Sequence, residues 1–234
     1  FSSFLSSLLS PVLFSAIIST HTSCSLGSSL RLLSPSSVRP RQIVAEAKLV
    51  LIGPGESGKS TVFKQMKILE NESGVDEKER ARFAEIVYAN IVSQMRIIVK
   101  VCFEEEVEFA SDENRENAQK LFNQPEDAPW TKETGLIIKR LWEEEEGVRV
   151  IYGERDRLFQ LNDGSGYFFD NLDRIMADGY VPSQQDFLRV RIRTIGYDEA
   201  QYEYNQVLFH VLDVGGQRSE RRHWKDYLDN ATAV

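Results

Sequence analysis

Cysteine and histidine are scarce in this chain: two cysteines, Cys24 and Cys102, and three histidines in 234 residues. Two thiols cannot build a disulfide framework, and so few suit a reducing compartment. No Cys/His cluster falls at zinc spacing, which excludes a structural zinc module. Basic charge is in the minority, with 28 Lys and Arg against 36 Asp and Glu and a net charge of −8. A nucleic-acid binder would show a basic face, so that class is set aside. Acidic residues are missing altogether from residues 1–44, whose first charge is Arg31. The uncharged stretch from Phe1 to Thr20 is too rich in serine for a membrane span and lacks the basic start of a signal peptide. An Arg-containing, acid-poor, Ser-rich leader fits a transit peptide, or translated non-coding sequence, or a misjoined exon. The expectation is one of the latter two, outside the fold, and Phe rather than Met at position 1 reads as a fragment.

What is present starts with Gly53-Pro54-Gly55-Glu56-Ser57-Gly58-Lys59-Ser60-Thr61, directly after the apolar run Lys48-Leu49-Val50-Leu51-Ile52. This is the phosphate-binding pattern G-x-x-x-x-G-K-[ST], in the strand–loop–helix setting that it needs. Its glycines let successive backbone N–H groups converge on an anion. Lys59 can reach the outer phosphates of a nucleotide, Ser60 can ligate Mg²⁺, and the following helix adds its positive end. Pro54 removes one loop N–H, but the later amides carry most of the cradle, so phosphate binding is expected to survive.

A second strand-like run ends in glycines: Val211-Leu212-Asp213-Val214-Gly215-Gly216-Gln217. An Asp at a strand end can hold Mg²⁺ through water, two glycines let the backbone bend toward a terminal phosphate, and Gln217 can orient an attacking water. By itself D-x-G-G-Q also reads as a plain Gly-rich strand exit with a solvated Gln. After a phosphate loop in the same chain, the catalytic reading takes over.

These stretches resemble the alpha subunits of heterotrimeric G proteins. Lys48 through Lys67 is similar to their first strand, phosphate loop and first helix, and Asp213 through Trp224 to their second switch. Leu172-Asp173-Arg174-Ile175 and Tyr180 through Gly196 resemble their approach to the first switch. The similarity runs from about Ala45 to the last residue. It implies an α/β fold, a P-loop NTPase (Ras-like) domain, incomplete here, with an inserted all-helical domain. The corresponding division is 1–44 as a Ser-rich segment outside the fold, 45–71 as the first Ras-like part, 72–182 as the helical insert, and 183–234 as the switch-bearing Ras-like part.

Between the motifs the residues speak for themselves. Thr194 lies more than a hundred residues beyond Ser60, room for a whole domain. Phe83, Val87, Ile91, Met95 and Ile98 recur at helical spacing. Leu136-Ile137-Ile138 with Leu141-Trp142, and Phe168-Phe169 with Leu172, Ile175 and Met176, repeat the theme. All read as core faces, while the Glu104–Glu106 and Glu143–Glu146 runs read as solvated.

Carried over by the resemblance, the nucleotide contacts are Gly55, Glu56, Ser57, Gly58, Lys59, Ser60, Thr61, Asp163, Leu188, Arg189, Arg191, Thr194, Asp213, Gly216 and Gln217. Catalysis falls to Gln217 and to Arg191 as an internal arginine finger; Arg189 and Arg193 are neighbours that could be mistaken for it. Mg²⁺, the one cofactor, would be held by Ser60, Thr194 and, through water, Asp213. Gly164 stands where the family has a serine, and Ile195 replaces a threonine beside Thr194. No Asn-Lys pair occurs, so the loop by which the family reads guanine is absent from these residues.

The implied activity is binding and hydrolysis of GTP by a signal transducer. Its partners are GTP and GDP, a beta-gamma dimer in the GDP state, a G-protein-coupled receptor or equivalent activator, effectors and GTPase-accelerating proteins. Nucleic acid is not among them. Contact with the membrane is peripheral, on the cytoplasmic face of the plasma membrane if a lipidated N-terminus exists, and the location is otherwise cytoplasmic. The alternative is a truncated non-enzymatic chain whose helical domain alone folds or binds a partner.

Overall fold

Apolar residues at the right spacing make the first strand and turn it into a loop. In the computed structural model, which describes residues 43–70, 74–125, 127–204, 206–229 and 231–234, strand β1 spans Ala45–Leu51 and buries Ala47 and Val50. The leader and Cys24 lie outside the described residues. The loop that follows places Glu56 at φ 66° and Gly58 at φ 86°, both in the left-handed region. Glycine takes that region freely; a glutamate there is uncommon. Helix α1 (Lys59–Glu70) then returns along the sheet with Phe63 and Met66 buried.

Strands β2 (Tyr197–Tyr204) and β3 (Val207–Val214) form an antiparallel hairpin, with Tyr197 opposite Val214 and Tyr204 opposite Val207. The sheet order is β1-β3-β2. The central strand β3 is the apolar one, burying Phe209, Val211, Leu212 and Val214, as a strand covered on both faces must. The polar strand β2 lies at an edge, where charged side chains discourage further pairing. On the other side of β1, Leu49 bridges Ala233 in parallel, and the Val50 N–H donates to the Ala233 carbonyl at 3.0 Å.

Between α1 and β2 the described residues are helical: α2 (Glu77–Ala81), α3 (Ala84–Glu104), α4 (Asp112–Asn123), α5 (Lys132–Glu144), α6 (Glu146–Gly153), α7 (Arg155–Leu158), α8 (Ser165–Asp170), α9 (Leu172–Ile175) and α10 (Gln184–Arg189). Ser111 and Thr131 cap α4 and α5 by accepting from the N–H three residues on. The long helix α3 is the axis of this core. Val87, Ile91, Met95, Ile98 and Cys102 are at most 1% exposed along one of its faces. By length and apolarity α3 could cross a membrane, but that face is spent on Leu121, Ile138, Leu141, Phe168, Phe169, Leu172 and Ile175. Burial pushes the Cys102 thiol up to about 12, with Glu145 adding to it, which leaves the group inert.

Two expectations need correcting here. Leu136 belongs to no core and is 54% exposed, because Ile137, Ile138 and Leu141 take the inner face of α5. Glu145 is not solvated: it is 2% exposed at the junction of α5 and α6. Its carboxylate accepts from the Ala110 N–H at 3.0 Å and from Asn114 Nδ2 at 2.6 Å, which satisfies it in place of water.

Two passages of chain connect the helices to the sheet, and they are tied together. The Gln184 carboxamide accepts from the Val75 N–H at 3.2 Å and donates to the Val75 carbonyl at 2.9 Å. Gly74, at φ 75°, leaves room for it, since a Cβ there would sit 2.4 Å from Gln184 Nε2. Close by, the fully buried Asp186 accepts from Arg174 at 2.7 and 2.8 Å, Tyr167 at 2.8 Å, Tyr180 at 2.9 Å and the Ser183 N–H at 2.7 Å. Burial pushes its carboxyl up, but Arg174 and the other donors outweigh that and bring it down to about 2.

Candidate functional site

The phosphate loop, the 161–164 loop, the 188–194 segment and the exit of β3 surround a cleft of about 500 Å³. Gly55, Glu56, Ser57, Gly58, Lys59, Ser60 and Thr61 line it from one side, and Asp163, Leu188, Arg189, Arg191 and Thr194 from another. Gly216 and Gln217 close it below. Asp213 does not reach this lining; it is 2% exposed, next to Val214 in β3, which does. Five cations (Lys59, Lys64, Arg189, Arg191 and Arg193) share the lining with two carboxylates, Glu56 and Asp163. An excess of fixed positive charge in a concave site suits a polyanion.

Lys59 Nζ donates to the carbonyls of Gly53 at 3.0 Å and Pro54 at 2.8 Å, so the ammonium sits inside the loop's own curl. Burial lowers its pKa; Asp213 pulls it back up and Arg221 pushes it further down. The second glycine pair explains itself by contact. A Cβ on Gly216 would fall 2.5 Å from Lys59 Nζ and 2.6 Å from the Gly53 carbonyl. On Gly215 it would fall 2.7 Å from Glu220 Cγ and 2.9 Å from the Thr194 carbonyl. Only glycines let the end of β3 run this close to the phosphate loop.

Three oxygens from distant parts of the chain converge. The Ser60 and Thr194 hydroxyls are 3.1 Å apart, and Thr194 Oγ1 donates to Asp213 Oδ2 at 3.2 Å. Burial raises the Asp213 carboxyl above its usual range, although Ser60, Thr194 and Lys59 all favour its charged form. Its other oxygen, Oδ1, is buried without a hydrogen-bond partner. An all-oxygen set with an unsatisfied carboxylate atom is what a small hard cation such as Mg²⁺ takes.

Arg191 reaches into the cleft between two partners. One guanidinium nitrogen lies 2.6 Å from Glu56 Oε1, and another donates to Asn162 Oδ1 at 2.9 Å. Arg189 also lines the cleft, but its guanidinium is held differently: it donates to Gln185 and stacks over the Tyr167 ring at 4.5 Å. Gln217 approaches Gly55, where a Cβ would sit 3.8 Å from its Cγ. Gly164 has a reason to lack a side chain, since a Cβ would meet the Arg189 carbonyl at 3.0 Å.

Several residues of this site carry no sequence motif. Lys64 is 7% exposed and donates to the Val190 carbonyl; burial pushes its ammonium down to about 8, against the pull of Asp213. Its place one turn along α1 from Ser60 is the only signal that could have found it. Asn90 has none, whereas Asn162 and Glu220 fall within stretches that resemble the family, the loop at Leu161-Asn162-Asp163 and the second switch. Glu220 accepts from the Gly196 N–H at 3.0 Å, and the Gly215 N–H donates to the Gly196 carbonyl at 2.9 Å, so the two switch segments are bonded to each other. Trp224 opens helix α11 (Trp224–Leu228) and donates to the Gly215 carbonyl at 2.9 Å. Its ring packs, half-buried, against Val50, Leu212 and Val214.

Comparison with known proteins agrees with this geometry. The family model for the G-protein alpha subunit matches residues 31–234, reaching upstream of Ala45 where the resemblance was expected to begin. The alpha-4 subunit of a guanine nucleotide-binding protein from Dictyostelium discoideum is 40% identical over 194 residues, 83% of this chain and 56% of that relative. The alpha-6 subunit from the same organism is 37% identical over 194 residues, with the same coverage of 83% and 56%. The chain thus spans little more than half the length of these curated relatives. With its phosphate loop, its two joined switch segments and a family match over most of its length, the chain belongs to the G-protein alpha subunit family.

Proposed function

We propose that the protein carrying this chain binds GTP with Mg²⁺, hydrolyses it to GDP and phosphate, and uses the difference between the two states to signal. The observation that carries this reading is the meeting of the Ser60 and Thr194 hydroxyls at 3.1 Å, 134 positions apart, beside Asp213, whose Oδ1 is buried without a partner. Ser60, Thr194 and, through water, Asp213 would hold the Mg²⁺, which when bound neutralises charge on the outer phosphates.

The chain's own residues do the rest. The loop amides from Gly55 to Thr61 cradle the phosphates. Lys59 leaves the Gly53 and Pro54 carbonyls to pair with the outer phosphate oxygens. Gln217 orients a water for attack in line with the leaving diphosphate. Arg191, steadied by Glu56 and Asn162, stabilises charge as it moves onto the phosphoryl oxygens. Loss of the last phosphate removes what holds Thr194 and Gly216 in place, and the bonds through Gly196 pass the change from one switch to the other.

In this reading a beta-gamma dimer engages the Arg218–Trp224 segment in the GDP state, and a receptor, effectors and GTPase-accelerating proteins act as the remaining partners. The test is titration of the full-length protein with labelled GTP, with and without Mg²⁺, against competing ATP, followed by single-turnover phosphate release. Saturable, Mg²⁺-dependent binding that ATP does not displace is expected. Equal competition by ATP would overturn it.

A further inference from the structure

We propose that Asn90, in the second turn of α3, positions the Arg191 finger by holding that residue's backbone with both arms of one carboxamide. The inference rests on the reading of Arg191 as the cation that faces the transferring phosphoryl group. The Arg191 N–H donates to Asn90 Oδ1 at 3.0 Å, and Asn90 Nδ2 donates to the Arg191 carbonyl at 3.1 Å. The same Nδ2 donates to the Ile86 carbonyl at 2.8 Å, one turn back on α3, which fixes the carboxamide's rotation.

The need for this contact is visible in the backbone. Arg191 through Ile195 belongs to no helix or strand, so no ladder fixes the direction in which Arg191 points. A single side chain that offers one donor and one acceptor in a plane replaces the missing strand partner. Asparagine has that pair on a short stem; aspartate keeps the acceptor and loses the donor, and alanine loses both.

The guanidinium is referred to the same helix. Asn162, which accepts from Arg191, has its own N–H bonded to Oε1 of Gln94, four residues after Asn90, at 2.8 Å. Backbone and side chain of the finger are thus both set from α3. Asn90 lies outside the cleft lining, in a smaller pocket behind Arg191, and its Oδ1 also accepts from Asn162 Nδ2 at 3.5 Å, so it bears on the cleft through Arg191 and through the residue that holds the guanidinium.

The experiment combines two readouts on the full-length protein with Asn90→Ala and Asn90→Asp. Amide hydrogen exchange at Arg191 should accelerate in Asn90→Ala and stay protected in Asn90→Asp. Single-turnover GTP hydrolysis should slow in both, by roughly tenfold to a hundredfold in Asn90→Ala, with GTP affinity changed less than threefold. In an Arg191→Ala background, Asn90→Ala should add less than a twofold effect. Unchanged exchange at Arg191 in Asn90→Ala, or equal slowing with and without the arginine, would overturn the proposal. Hydrolysis at the normal rate by Arg191→Ala alone would overturn the role given to Arg191 instead, and exchange would still report whether the clamp exists.

Discussion

Arg191 and Arg189 stand two positions apart and both line the cleft, yet the fold gives their guanidinium groups different partners. Arg191 enters the cleft between Glu56 and Asn162, while Arg189 lies on Tyr167 and Gln185. A cation matched to charge that develops only in the transition state contributes about a hundredfold to a thousandfold. Arg191→Cys should therefore slow hydrolysis by at least a hundredfold, and Arg189→Ala by less than threefold, in single-turnover assays with labelled GTP; the reverse order would place the finger at Arg189. Gln217→Leu should abolish turnover while GTP affinity stays within a few-fold, because positioning a water affects the transition state more than the bound ground state. An unchanged rate would remove Gln217 from the chemistry. Gln217 and Lys59 could be proposed from the sequence because contiguous motifs, G-x-x-x-x-G-K-S and D-x-G-G-Q, carry them, whereas Arg191 rested on the family resemblance alone. Asn90 was legible in neither, and for Asn162 and Lys64 the resemblance pointed to the stretch but not to the contacts they make. Each meets the site from another part of the chain, and a carboxamide or a lone lysine leaves no spacing signal.

Helices with a full apolar stripe announced themselves, and α3 is the clear case, with Val87, Ile91, Met95 and Ile98 all buried. The short helices α7, α8, α9 and α10 are one or two turns long and show little periodicity. Polar contacts hold α10: Ser183 and Asp186 form a capping box at its start, and the Asp186 carboxylate collects Arg174, Tyr167 and Tyr180. Such knots are invisible to a hydrophobic pattern, as Glu145 also shows. The Asp186 carboxyl titrates at about 2 in the fold, below its ordinary value of 3.8. A depressed carboxyl contributes stability above its unfolded pKa and loses it as pH falls through the folded one. The knot should thus be worth about 2 kcal/mol at neutral pH, fading between about pH 4 and pH 2. Urea denaturation of wild type and Asp186→Asn across that range should show a gap near pH 7 that closes toward pH 2. A gap independent of pH would assign the loss to packing instead.

At the scale of the molecule, the inserted helices and the strands differ in how much they depend on the rest of the chain. Sheet strands need neighbours on both sides, and β1 already reaches across to Ala233 for one. The helical core is supplied from within: its buried residues all lie between Val87 and Val190, with Phe83 and Ile192 packed at its margins. Helix α3 packs on its neighbour α4 and on the later helices α6 and α8, so the core closes on itself. The length between Ser60 and Thr194 leaves room for an inserted domain, but does not show where its stability would end. A boundary at residue 182, natural from sequence, would separate Arg174, Tyr167 and Tyr180 from Asp186, and Phe83 from the Phe187 ring 5.0 Å away. The isolated segment 74–192 should therefore melt cooperatively as a helical domain. The segment 74–182 should be helical but less stable by about 2 kcal/mol, since it leaves the Arg174 guanidinium and two half-buried tyrosines without their acceptor. Circular dichroism melts and urea titrations of the two segments measure this difference. A broad, non-cooperative melt of 74–192 would show that the insert needs the sheet, and equal stability of the two would show that α10 contributes nothing to it.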